Sequence, residues 1–451
     1  MGIETYEQAL AYWYGRINYE QTPMPCDRQA LKLDRMRALL AALGQPHSAY
    51  ACIHVAGTKG KGTTAAYLAS IFQAAGYRTG LFTSPHLVHV EERIQIQGQM
   101  ISQQDLTHLM AKVEKAVEWI ERSGEGIPTF FEILTAVGLL YFAEQKADLA
   151  ILEVGLGGRF DATNIVDPLI SVITSISFDH MAQLGNTLAE IAFEKAGIIK
   201  PGRPVVTARQ TKEAMAVITK VAAELGAPLL QLDTAMAFDF HPGNVWTQQR
   251  PQLRCRTKTQ AGPVFELGLW GQHQAENAAL AWLAIQTVQD QWPVSEAAMI
   301  EGFRQIHWPA RLEIVSRSPW VIIDCAHNGA SMQCLVDWLD TAFPKSAICQ
   351  RKLMLAISKD KDVDRMFPIL TKNFDQAMMT RYSSSLRGAD PKDLVTLWHR
   401  HGGQHGVWAD SPQCAWEKLI TTLHPNDLLV ITGSVFLAGE MRSLIQQTDY
   451  L

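Results

Sequence analysis

Apolar residues along the chain fall into two spacings, short blocks of β-branched and aliphatic residues and longer stretches repeating every three or four positions. The short blocks predict buried strands at 53–55, 79–82, 149–154, 169–174 and 204–207, and the longer repeats predict helices over 28–43, 64–75, 103–122 and 130–145. Strand and helix alternate, which predicts an α/β fold with a mostly parallel sheet. Residues 232–270 break the rhythm with β-like segments punctuated by Pro and Gly, so a small antiparallel elaboration is expected there, closed by a helix over 276–289. A second alternation follows His307-Trp308-Pro309-Ala310-Arg311, where Pro309 disfavours helix at Trp308, and places strands at 321–323, 353–356, 377–379 and 428–431. At 451 residues one hydrophobic core is too little, so two domains are expected, 1–306 and 312–451, joined by 307–311. No repeat relates the halves.

Composition narrows the class. Forty basic and forty-five acidic residues give a formal charge of −5 with no long block of either sign, which gives nucleic acid or a membrane surface no electrostatic hold. The seven cysteines, at 26, 52, 255, 325, 334, 349 and 414, form no Cys-x-x-Cys pair, which argues against a disulfide framework or zinc site and fits a reducing cytoplasm. Glu4, Glu7 and Arg16 occupy the place of a signal peptide's apolar core, and the apolar run near 130–142 contains Glu132 and is too short to span a bilayer.

The densest chemistry lies in Ile53-His54-Val55-Ala56-Gly57-Thr58-Lys59-Gly60-Lys61-Gly62-Thr63-Thr64. A strand runs into a glycine loop and then a helix; the glycines admit an anion close to backbone amides, Lys61 supplies charge for outer phosphates, and Thr63 or Thr64 can cap the helix or face a metal-bound phosphate. The plainer alternative is a strand-to-helix turn whose glycines serve packing. Gly62 separates the lysine from the threonine, unlike the common P-loop. Farther on, Ile151-Leu152-Glu153-Val154-Gly155-Leu156-Gly157-Gly158-Arg159-Phe160-Asp161-Ala162-Thr163-Asn164 places Glu153 at the carboxyl end of a strand, where open α/β sheets bind ligands and one carboxylate with substrate phosphates satisfies Mg²⁺.

Together these two stretches resemble the Mur ligase superfamily, and Gly62 with the Glu153 signature resembles its folate branch. The resemblance spans about 28–440 and implies a P-loop ATPase domain with a mostly parallel sheet, plus a smaller Rossmann-like α/β C-terminal domain that binds glutamate and closes on ATP. It implies that ATP meets the loop from Gly57 through Thr64, including Thr58, Lys59 and Gly60, together with Asn277, Arg311, Asp324, His327 and Asn328. It assigns Ser84 and Glu153 to one Mg²⁺ and His180 to a second, with Lys195 carbamylated to complete it; unmodified, that lysine would repel the metal. Lys61, His180, Lys195 and Arg311 become the catalytic set, and a monovalent cation such as K⁺ belongs to the same picture. The pterin end of the substrate falls to Lys32, Leu33 and Asp34, to Thr129, Phe130, Phe131 and Glu132, and to Phe160, Asp161 and Ala162, whose rings could stack on a flat heterocycle or equally be core. Lys59 stands where many relatives have Asn.

The implied reaction is ATP-dependent amide ligation of L-glutamate to dihydropteroate, to reduced folates, or to both, through an acyl phosphate, in a cytoplasmic monomer. The alternatives are a folylpolyglutamate synthase alone, a cell-wall Mur-type ligase, and a nonenzymatic P-loop binding module.

Overall fold

The apolar block at 53–55 lies at the heart of an eight-stranded sheet. In the computed structural model, which describes residues 2–20, 33–257, 261–383 and 387–447, its strands are β1 (Ala51–Ala56), β2 (Thr79–Phe82), β3 (Ile94–Ile96), β4 (Gln99–Met100), β5 (Leu149–Glu153), β6 (Ile170–Ile173), β7 (Val205–Thr207) and β8 (Leu229–Gln231). The order is β4-β3-β2-β5-β1-β6-β7-β8, parallel from β2 to β8, with β3 and β4 antiparallel at one edge. Alternate side chains feed opposite faces. Ile53, Val55 and Ile151 pack with helices Lys61–Ala74, Gln272–Val288 and Glu296–Gln305, whereas Cys52, Ala150 and Leu152 pack with Gln103–Ser123 and Phe130–Glu144. Coverage of both faces explains why these strands read as continuous apolar runs.

The 232–270 region forms the antiparallel sheet β9 (Met236–His241), β10 (Gln252–Thr257) and β11 (Ala261–Glu266). The last sheet comprises β12 (Glu313–Arg317), β13 (Trp320–Ile323), β14 (Arg351–Leu355), β15 (Gln376–Met379), β16 (Gly406–Trp408) and β17 (Leu428–Thr432), ordered β12-β13-β17-β14-β15-β16, with only β12 antiparallel. Its two faces carry separate cores, one on Ile322, Leu353 and Val430, the other on Val321, Met354 and Ile431. The loop after β9 ties the halves: Trp246 Nε1 donates to Ala342 O at 2.9 Å and Arg317 Nη1 to Val245 O at 2.8 Å. No described helix is long and apolar enough to cross a membrane.

Three boundaries differ from expectation. The first described residues of the helix expected over 28–43 start it at Asp34, and 21–32 lie outside the described residues. The strand expected over 169–174 runs from Ile170 to Ile173, one residue short at each end. The helix expected from 276 begins at Gln272 behind Gly271, whose φ of +99° breaks the preceding chain, so Asn277 sits inside the helix.

Candidate active site

The loop after β1 is shaped by two glycines. Gly57 and Gly60 have φ of +146° and +86°, and a Cβ on either would overlap Thr174 or Asn277. Gly60 is the N-cap of the helix Lys61–Ala74 and brings no side chain to cap it, so the helix's first amides face open space. Gly62 has a different reason: a Cβ there would stand 3.0 Å from Trp308 and 3.3 Å from the Glu153 carboxylate. The departure from the common P-loop spacing thus lets the helix pass directly over the end of β5.

These elements line one cavity of about 1830 Å³ between the carboxyl ends of the two parallel sheets. From the first sheet it receives Thr58 through Thr63, Ser84, Glu153, Asp179 and His180; from the second it receives Asp324, Cys325, His327 and Asn328; Asn277 and Arg311 close it. Glu153 is buried and accepts from the Ser84 amide at 3.0 Å. Burial raises its pKa, opposed by Lys61, the Ser84 amide and Arg311. A buried carboxylate facing two cations and a serine suits a hard cation bound with phosphate oxygens. Among the described residues no three of His, Cys, Asp and Glu cluster as a metal cage.

Lys195 lies beneath the cradle and not on the cavity wall; its Nζ donates to Gly57 O at 2.8 Å. Burial, with Lys61 next, pushes its pKa down to about 7. Burial likewise lowers His180 to about 4, against the pull of Asp179.

The second sheet's loop is largely bound to itself. Asp324 accepts from Ala326 N at 2.8 Å and Leu312 N at 3.0 Å, and Asn328 caps the helix Gly329–Ala342 through Ser331 N at 3.0 Å. His327 alone of the three reaches across, its Nε2 standing 3.2 Å from Lys59 Nζ. Lys59 also pairs with Asp179 at 2.8 Å.

Several expected residues are placed elsewhere. Thr64 is fully buried with a hydroxyl that has no partner, so its side chain does not reach the cavity, and neither threonine caps the helix. Phe130 is a correction: it is 1% exposed, stacks on Trp13 with centroids 4.7 Å apart, and belongs to the helical core. Asp34 is exposed and pairs with Arg37 at 2.9 Å, while Lys32 lies outside the described residues. Leu33, Phe131, Phe160 and Ala162 line the cavity. Thr129 and Glu132 also line it but form a capping box, and Glu132 holds Arg35 at 2.9 Å. Asp161 is buried and accepts from Leu156 N, Thr163 N and Thr163 Oγ1, so it shapes the glycine loop.

Sequence reasoning missed Asp179, His273, Lys361 and Arg387, all on the cavity wall. Asp179 directly precedes the expected metal ligand His180, and His273 lies four residues before the expected nucleotide contact Asn277. Lys361 and Arg387 carry no local signal, because their place depends on the second sheet's packing.

Residues 55–285 match the Mur ligase middle domain and 310–435 the Mur ligase, glutamate ligase domain. The chain is 36% identical to the dihydrofolate synthase/folylpolyglutamate synthase of Bacillus subtilis (strain 168), covering 98% of this chain and 99% of that one. It is 34% identical to the folylpolyglutamate synthase of Lacticaseibacillus casei, covering 91% and 94%. Among solved structures, it is similar to Mycobacterium tuberculosis folylpolyglutamate synthase complexed with ADP, with TM-score 0.85, 31% identity and coverage of 98% of each chain. An FPGS–AMPPCP–folate complex is similar at TM-score 0.83 and 30% identity, covering 98% of this chain and 100% of the other.

Proposed function

The chain belongs to the Mur ligase family, among the dihydrofolate and folylpolyglutamate synthases, and from that membership we propose that it ligates L-glutamate to dihydropteroate and to reduced folates at the expense of ATP. The observation that carries this reading is the single cavity in which Lys61, Glu153 and Arg311 meet the loop of the second sheet. A carboxylate has a poor leaving group and repels nucleophiles, so it needs activation. The substrate carboxylate attacks the γ-phosphorus of ATP, the bond to the ADP oxygen breaks, and an acyl phosphate forms. The glutamate nitrogen then attacks the acyl carbon, phosphate leaves, and the amine gives up its proton.

In this reading Lys61 and Arg311 balance charge on the transferring phosphoryl oxygens, and the helix start behind Gly60 holds the phosphates. Ser84 and Glu153 would hold one Mg²⁺, and His180 with a carbamylated Lys195 would hold a second; such ions would supply charge neutralisation at the phosphates. Support for the carbamate comes from the buried site that drives Lys195 toward its neutral form, the form that captures CO₂. A carbamate nitrogen keeps one N–H, the donor that a bond to Gly57 O requires. A monovalent cation such as K⁺ is part of the same proposal, without an assigned residue.

The division into 1–306, a linker at 307–311 and 312–451 is proposed on the separate sheets and cores. Closing the second unit over the first excludes water that would hydrolyse the acyl phosphate. We place the enzyme in the cytoplasm as a monomer. ADP release that depends on both a pteroate-type acid and L-glutamate tests the function; nucleotide binding without such release leaves only a P-loop binding module.

A further inference from the structure

The cradle carries two lysines that face opposite ways. Lys61 acts on Glu153, whereas Lys59 Nζ lies 2.8 Å from Asp179 Oδ2 and 3.2 Å from His327 Nε2. Asp179 follows β6 of the first sheet, and His327 follows β13 of the second, 268 residues from Lys59. One ammonium therefore bonds to both halves of the molecule within the cradle itself.

The chemistry of the contact fixes its direction. His327 Nδ1 stands 2.8 Å from Cys325 O, which only accepts, so the ring proton resides on Nδ1 and Nε2 offers a lone pair. An ammonium only donates, so Lys59 and His327 are complementary in this tautomer alone. The loop's other polar side chains are spent locally, Asp324 on Leu312 N and Ala326 N and Asn328 on the helix start. Asp179 in turn fixes the ammonium on the first sheet, so the lysine cannot simply follow the loop away.

We propose that Lys59 is a positioning residue that docks the His327 loop of the second sheet onto the nucleotide cradle. This rests on the functional reading above and deepens it by naming the contact through which the two units engage. Removing the ammonium takes the donor from Asp179 Oδ2 and His327 Nε2, while Asp179 Oδ1 keeps the His180 amide. Nucleotide stays held by the backbone cradle and Lys61, while the engaged arrangement needed for turnover is lost.

The test uses the full chain with AMPPCP and Mg²⁺ as probe, comparing wild type with Lys59→Met, His327→Ala and the double variant. In the wild type AMPPCP should slow amide exchange both in 57–64 and in 324–331. In Lys59→Met, at AMPPCP concentrations that saturate the variant, protection of 57–64 should remain and that of 324–331 should vanish, with kcat down by about tenfold or more. The double variant should be no more than about twofold worse than the worse single variant, as expected for two ends of one contact. Lys59→Gln serves if Lys59→Met does not fold. Losses that multiply, protection of 324–331 that persists without the ammonium, or no protection of that loop in the wild type would overturn the proposal. Exchange is read without turnover, so a wild type lacking ligase activity would defeat the functional reading and leave this test in force.

Discussion

The loops at the carboxyl edge of the eight-stranded sheet offer charge to the cavity, whereas the loop after β13 in the six-stranded sheet keeps most of its polar groups for itself. Lys61, Glu153 and the open amides behind Gly60 are unspent on capping, while Asp324 and Asn328 brace their own turn and helix. The difference teaches a division of labour. In the proposed reading the first sheet supplies the cradle for the nucleotide, and the second an edge whose contribution depends on where it docks.

The largest effect should come from beneath the cradle. Lys195→Ala should cut glutamate-dependent ADP release by roughly 10³-fold, and a short carboxylic acid should restore part of it. A fully active variant would remove the modified lysine from the account. Next, Lys61→Ala should lower kcat by roughly 10²-fold, because its charge matters most as the phosphoryl group moves. Near-normal turnover in a folded variant would contradict that role. Smaller again is the backbone: Gly60→Ala, strained at φ +86° and pressed on Asn277, should raise the KM for ATP by about tenfold. An unchanged KM would show that the cradle tolerates a side chain there, and the asymmetry between the edges would weaken.

A separate effect concerns stability. His54, buried in β1 against Thr163 Oγ1 at 2.8 Å, has its pKa lowered by burial to about 3. Its unfolded value is near 6.5, so between these values the unfolded chain takes up a proton that the folded chain refuses. Stability should therefore fall as pH drops below about 6.5, by up to about 1.4 kcal/mol per unit from this group. His54→Gln should flatten that limb in urea titrations from pH 7 to 4; an unaltered slope would assign the acid sensitivity to other groups.

What the sequence revealed follows from how local each feature is. The strand–glycine–helix unit at 53–64 and the Glu153 loop are each contiguous, so spacing alone exposes them. Phe130 and Phe131 are adjacent and alike in sequence, yet one stacks on Trp13 and the other lines the cavity, a distinction set by the helix's rotation against its neighbours. Asp179 adjoins His180 in sequence, yet its pairing with Lys59 was not legible, because the pair spans 120 residues and forms only when β1 and β6 lie side by side. The helix start at Gln272 was missed because Gly271 reads as a turn before a helix whose apolar face is nearly continuous.

The central claim is that the cradle and the docked edge together join glutamate to a pteroate-type acid. Dihydropteroate and tetrahydrofolate should be offered separately with ATP, Mg²⁺ and labelled L-glutamate. The account predicts label in both, with one ADP released per glutamate added. Label in tetrahydrofolate alone would restrict the enzyme to chain extension, and ATP turnover without label in either acid would contradict the account.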